Sequence, residues 1–235
     1  KKFLINDTNH EIKVGPSESM SKSKKNTVDP EKIIENYGAD SVRLFILSDS
    51  PPEKDVQWSE DGMISSYKFI QKFWNLNLKV NDEINKNHKA DDETKIIKFT
   101  NKFIKNITQN LENFSYNIII ANIYEMYSFW TKEIIKKHNP KTLKECFSKT
   151  LISITPILPH LANEGLELLK INTNLAWPSY EEKYLIEQVI PIVIQINGKK
   201  RGLIEVERDV LENNLLKIIL KNKNLNKYLE NKEIK

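Results

Sequence analysis

Through the middle of the chain, apolar residues recur three and four positions apart, the period of an amphipathic helix. Ile64, Tyr67, Ile70, Phe73, Trp74 and Leu78 share one such face, and Ile96, Thr100, Phe103, Ile107 and Leu111 a second. Ala121, Ile123, Tyr127, Trp130 and Ile134 form a third, and Leu143, Phe147, Leu151 and Ile154 a fourth. Pro156 and Pro159 then kink the last helix or restart it before Leu161, Leu166 and Leu169, because proline removes a donor and fixes φ. Four apolar stripes joined by Asn- and Lys-rich connections are buried most simply in an antiparallel bundle, predicted over 60–172.

The pattern changes on both sides. Phe3-Leu4-Ile5 and Glu11-Ile12-Lys13-Val14 flank the polar Asn6-Asp7-Thr8-Asn9 and predict a short hairpin, followed by a polar loop over 15–26. Asp29-Pro30-Glu31 carries the signals of a helix start, and Tyr37-Gly38 those of its end. Asp40 is predicted to cap a second helix, through Arg43 to Leu47, that Ser50-Pro51-Pro52 breaks. Beyond Trp177-Pro178, β-branched runs over 189–196 and 203–206 flank Asn197-Gly198, a strong hairpin signal since both turn residues tolerate positive φ. A helix over 209–220 follows, with another element beginning at Tyr228-Leu229.

Composition narrows the classes. The chain has 235 residues, 39% hydrophobic and 29% charged, with one Cys. That excludes a disulfide framework and a multi-Cys metal site, and no apolar run reaches the ~18 residues of a membrane span. The balance of 36 Lys+Arg against 32 Asp+Glu gives +4, so contact with nucleic acid has to rest on local patches. Lys, Asn and Ile are abundant throughout, so an isolated lysine carries little information. His10, His88, His138 and His160 show no metal-ligand spacing. Cys146 falls on an apolar helix face as a small core residue. Trp58, Trp74, Trp130 and Trp177 have settings that favour packing over base stacking.

The segment richest in chemistry is Ser19-Met20-Ser21-Lys22-Ser23-Lys24-Lys25-Asn26, where small hydroxyl residues surround a Met and closely spaced lysines. Small residues let backbone approach phosphates, and an ammonium on a long stem can follow charge that builds during phosphoryl or nucleotidyl transfer. A solvated basic loop accounts for the same composition. As a string, the segment resembles the Lys-Met-Ser-Lys-Ser signature of class I aminoacyl-tRNA synthetases. Val28-Asp29-Pro30-Glu31, Tyr37-Gly38-Ala39-Asp40 and Arg43-Leu44-Phe45 follow in that family's order. Pro51-Pro52-Glu53-Lys54-Asp55 with Trp58 resembles the leucyl-tRNA synthetases of bacterial or organellar type. Gln195-Ile196-Asn197-Gly198-Lys199-Lys200-Arg201-Gly202 resembles the opening hairpin of their C-terminal domain. The 156–164 segment is similar to one shared by leucyl, valyl and isoleucyl enzymes and does not separate them.

The resemblance implies a mainly α chain. An antiparallel bundle of the anticodon-binding type, over 59–180, follows the end of a Rossmann-like catalytic domain with its signature loop, over 1–58, and precedes a truncated α+β tRNA-binding domain, over 181–235. It implies the C-terminal portion of a leucine-tRNA ligase, with tRNA(Leu), leucine and ATP as partners and Mg²⁺ assisting. It also implies a monomer in the cytoplasm or an organellar matrix, without a membrane. Ser19, Met20, Ser21, Lys22 and Ser23 correspond to the ATP-binding loop, with Lys22 as the catalytic cation. Ser19 stands where the family usually has its first lysine, and Lys24 or Lys25 are the candidates to compensate. Lys199, Lys200 and Arg201 correspond to a tRNA-binding patch that Lys217, Lys221, Lys223 and Lys227 extend, while Lys132, Lys136 and Lys137 are bundle candidates. The family's His-Ile-Gly-His motif, leucine pocket and editing domain have no counterpart in these residues. The chain opens on Lys1 and reads as a fragment, inactive alone. The alternatives are a valyl or isoleucyl enzyme, or a non-catalytic tRNA-binding protein descended from a synthetase.

Overall fold

The computed structural model describes residues 3–4, 11–12, 15–49, 51–86, 92–171, 176–186, 189–226 and 228. The chain divides into two compact units, Lys1–Tyr180 and Glu181–Lys235.

In the first unit, β1 (Phe3–Leu4) pairs antiparallel with β2 (Glu11–Ile12), with Phe3 opposite Ile12. The connecting turn, Ile5 and Lys13-Val14 lie outside the described residues. Helix α1 (Pro30–Tyr37) starts where Asp29 Oδ1 accepts the Glu31 N–H at 3.1 Å, and ends at Gly38, whose φ of 76° is the conformation that favours glycine. Helix α2 (Ala39–Asp49) follows at once.

The Asp40 carboxylate does not cap α2, contrary to the pattern. Instead it accepts the backbone N–H groups of His160 (3.4 Å) and Leu161 (2.7 Å), in the first turn of α7 (Pro159–Leu168). Pro159 opens α7 and Leu158 offers it no side-chain cap, so the donors are satisfied from another helix. One turn along α2, Arg43 donates to the carbonyls of Ile157 (2.8 Å) and Pro156 (2.6 Å). The carbonyls freed where the prolines interrupt the chain thus find a cation, and the helix restarts.

The bundle comprises α3 (Glu60–Ile84), α4 (Thr94–Glu112), α5 (Tyr116–Glu133) and α6 (Pro140–Ile154), with α2 and α7 packed on it. Ser59 Oγ caps α3 and Asn139 Oδ1 caps α6. Phe73, Ile96, Ile107, Ile123, Trp130, Phe147 and Leu151 are fully buried in one core.

The α3 face differs from the sequence reading. Of its six positions only Phe73 is buried, while Leu78 is 39% exposed. The buried side is Met63, Ser66, Phe69, Phe73, Leu76, Asn77 and Val80. The physical reason is that α3 packs against α1, α2, α5, α6 and α7, so apolar residues occur around most of its circumference. Tyr67, for instance, meets Tyr37 edge-on at 5.7 Å. Ala121 likewise is exposed, and Ile119, Ile120, Ile123, Met126 and Trp130 form the buried side of α5.

In the second unit, a short 3-10 turn (Glu182–Tyr184) leads to β3 (Val189–Ile196) and β4 (Lys199–Glu207). Asn197 (φ 53°) and Gly198 (φ 73°) make the two-residue turn. The pairing shifts from Ile194 opposite Gly202 to Gln195 opposite Lys200, so Arg201 is an extra, bulged residue. A Cβ on Gly202 would stand 2.8 Å from Leu225 Cδ2, so a larger residue there would make the buried Leu225 side chain of α9 (Lys223–Asn226) shift. Helix α8 spans Glu212–Lys221, three residues later than predicted, because Asp209 is held in a turn closed by Val210 N–H on the Glu207 carbonyl (3.1 Å). Leu229 lies outside the described residues. No described helix is long and apolar enough to cross a membrane.

Candidate functional site

The loop between β2 and α1 is closed on itself by one side chain. Asn26 Oδ1 accepts the Ser21 N–H at 2.8 Å, and Asn26 Nδ2 donates to the Ser19 carbonyl at 3.3 Å. Within this clasp, Lys24 N–H reaches the Ser21 carbonyl and Lys25 N–H the Lys22 carbonyl, both at 3.2 Å, and Ser21 Oγ lies 3.2 Å from Ser23 Oγ. Lys25 takes φ 53°, which ends the turn. Asn suits the clasp because its amide carries both an acceptor and donors. The five residues 19–23 therefore share one compact turn.

Lys22 is exposed, with no ion-pair partner among the described residues. Lys24 pairs with Glu18 at 2.9 Å, both largely exposed, an arrangement of small net worth. The Ser19 side chain takes no part in the clasp, which uses only its carbonyl. Met20 is 47% exposed and, with Ser17, Glu18 and Asn26, lines a cleft of about 730 Å³ whose other wall is 55–58. Trp58 in that wall is held edge-on against Phe45 at 5.3 Å.

The second group of predicted residues lies in the other unit. Lys199 and Lys200 are exposed at the start of β4. Arg201, displaced by the bulge, sets its guanidinium 4.4 Å from the Tyr228 ring centroid. Lys217 and Lys221 are exposed on α8. The side chains of Lys223 and Lys227 lie outside the described residues. In the bundle, Lys132, Lys136 and Lys137 are exposed, and Lys136 is tied to Glu133.

Sequence periodicity did not single out that glutamate. Glu133 is 2% exposed, accepts from Lys95 (2.5 Å) and Lys136 (2.9 Å), and its backbone carbonyl lies 3.1 Å from His138 Nε2. Burial pushes its carboxyl up, but the two ammonium groups outweigh that and hold it below its ordinary value. A Glu at a helix end reads as solvated in sequence, and only tertiary contact reveals otherwise. His160 carries a largely exposed ring whose Nδ1 lies 3.0 Å from Asp40 Oδ1, at the α2–α7 junction.

Cys146 is buried, and desolvation pushes its thiol up to about 11. At pH 8 roughly one molecule in a thousand then carries the thiolate. Iodoacetamide is expected to leave the native thiol unmodified over a period in which the urea-unfolded chain reacts fully. Mass spectrometry reads the difference, and rapid native labelling would contradict the burial.

The tRNA ligase anticodon-binding domain family matches residues 93–216, more than half of the chain, and the class I tRNA synthetase family (I, L, M and V) matches residues 12–59. The chain belongs to the anticodon-binding domain family of tRNA ligases. It is 41% identical over 231 residues to a leucine–tRNA ligase of Orientia tsutsugamushi, covering 95% of this chain and 27% of that protein. It is 36% identical over 229 residues to one of Fusobacterium nucleatum, covering 91% and 26%. The chain thus spans about a quarter of these relatives and resembles their C-terminal portion. Its fold is that of an Agrobacterium radiobacter LeuRS solved as a ternary complex with tRNA and LeuAMS, with TM-score 0.79, 21% identity, and 92% of this chain and 29% of that one covered.

Proposed function

We propose that this chain is the C-terminal part of a leucine-tRNA ligase, which activates leucine with ATP to leucyl-adenylate and transfers the leucyl group to the 3′ end of tRNA(Leu). The observation that carries this reading is the Asn26-clasped turn with exposed Lys22, within the segment that matches class I synthetases, on a chain whose relatives are leucine–tRNA ligases. In the activation step the leucine carboxylate attacks the α-phosphorus and pyrophosphate leaves. Negative charge grows on the phosphate oxygens, and the role assigned to Lys22 is to stabilise it there as a preorganised cation. Ser21 and Ser23 shape the turn, and Met20 packs against the neighbouring catalytic surface.

We assign residues 1–58 to the end of the catalytic domain, 59–180 to the tRNA-binding bundle and 181–235 to a C-terminal tRNA-binding domain, where Lys199, Lys200 and Arg201 contact phosphate. Mg²⁺ is the ion the resemblance associates with ATP. Among the described residues no group of three His, Cys, Asp or Glu side chains is placed to hold a metal, and the roles assigned here use only the chain's own groups.

The test is amino-acid-dependent ATP–pyrophosphate exchange by the full-length protein. Exchange is expected with leucine and at most marginally with valine or isoleucine. Preference for either of those would reassign the specificity. Binding of tRNA without any exchange would make this a non-catalytic descendant, with Ser19 a mark of the loss.

A further inference from the structure

Helix α2 meets α7 on one side and the wall of the candidate cleft on the other. Toward α7, Asp40 Oδ2 accepts the Leu161 N–H at 2.7 Å and Oδ1 accepts the His160 N–H at 3.4 Å. The Arg43 guanidinium spans two carbonyls, Pro156 at 2.6 Å and Ile157 at 2.8 Å. Arg43 and Phe45 are two residues apart, about 200° around the helix, so Phe45 leaves α2 on nearly the opposite side. Its buried ring meets Trp58 edge-on at 5.3 Å and lies on the first turn of α3, where a Cβ on Gly62 would stand 2.7 Å from Phe45 Cε2. Trp58 belongs to the 55–58 wall of the cleft, and Met20, two residues before Lys22, lines the other side.

The two sides of α2 constrain it differently. Packing of Leu44 and Phe45 keeps the helix against the core, but apolar contact is non-directional and leaves small slides and rotations cheap. The bonds of Asp40 and Arg43 to α7 are directional and charge-assisted, so they fix the register. Without them α2 is free to shift, and the Phe45 ring and the Trp58 wall shift with it. The turn opposite is closed by Asn26 and responds as a unit, which carries the Lys22 ammonium away from its working position.

We propose that Arg43, together with Asp40, is a positioning residue for the activation step: held on α7, it keeps Phe45 and Trp58 where they seat the Met20 side of the turn, and thereby aims Lys22. The proposal rests on the reading of the chain as part of a tRNA ligase. Neither Asp40 nor Arg43 lines the cleft, so the effect is indirect and passes through Lys22.

The test is leucine-dependent ATP–pyrophosphate exchange by the full-length protein, with the rate expressed per active site counted from the burst of adenylate formation. Arg43→Gln is expected to lower that rate by about tenfold to a hundredfold, the scale of an ångström of misplacement, with the KM for leucine unchanged. A merely structural role would reduce the number of active sites and leave the rate at each one unchanged, and that outcome overturns the proposal. Arg43→Lys keeps the charge without the planar fork, so it should recover part of the rate. Adding Arg43→Gln to Lys22→Ala should cost nothing further, whereas losses that multiply independently overturn the route through Lys22. If Arg43→Gln yields no active sites, Trp58→Leu decides. Trp58 is half-buried at the cleft, and the same loss per site is expected there; a wild-type rate per site overturns the proposal. A wild-type protein that exchanges with leucine while Arg43→Gln matches it leaves the ligase reading standing and removes only the positioning role. A wild-type protein without such exchange removes both.

Discussion

Under the proposed reading, replacing Lys22 by Ala in the full-length protein is expected to lower leucine-dependent ATP–pyrophosphate exchange by about a hundredfold to a thousandfold, the loss typical of one preorganised transition-state donor. The effect should fall on the rate, because Lys22 is exposed, lies in a turn held by backbone and Asn26 contacts, and has no ion-pair partner among the described residues. Stability and tRNA affinity should therefore hardly move. Lys22→Arg keeps the charge but spreads it over a planar fork, so partial recovery is expected. Asn26→Ala releases the clasp while leaving the ammonium in the sequence, and a smaller loss than that of Lys22→Ala should result. The Ser19 side chain contributes nothing to the clasp, so Ser19→Lys should be accommodated and reports whether a second cation speeds the step. Unchanged exchange in Lys22→Ala would sink the role given to this residue.

Element type and order were readable in the sequence wherever one local signal dominated. Asp29-Pro30 and Gly38 bracket α1 through capping that depends on neighbouring residues only, and Asn197-Gly198 sets the hairpin through its allowed φ values. Reading failed where a residue answers to a distant partner. Asp40 has the sequence position of a cap for α2, yet its carboxylate serves α7, 120 residues on. Glu133 has the look of a surface acid and is buried between two lysines. On α3 the three- and four-residue spacing of apolar side chains drew the predicted face, whereas burial follows the side turned to the core, including Ser66 and Asn77. The candidate loop was legible as a string of residue types. Its closure by Asn26 was not, because an Asn in an Asn-rich chain carries no signal of its own.

Within the bundle, the largest single-residue effect on stability is expected at Trp130. Its ring is fully buried, meets Phe147 edge-on at 5.3 Å with an interplanar angle of 89°, and meets Phe129 at 5.5 Å. Trp130→Ala removes the indole and leaves a cavity that helices pinned at several contacts close only in part, which costs about 3–5 kcal/mol. The midpoint of urea unfolding, followed by far-UV circular dichroism, should drop accordingly, with the slope of the transition unchanged. Trp130→Phe separates packing from polarity. The indole N–H is buried without a hydrogen-bond partner among the described residues, so Phe discards an uncompensated donor together with part of the ring. Its cost should stay near about 1.5 kcal/mol, and a Phe variant as unstable as the Ala variant would mean that the N–H has a partner after all, a buried water being the candidate.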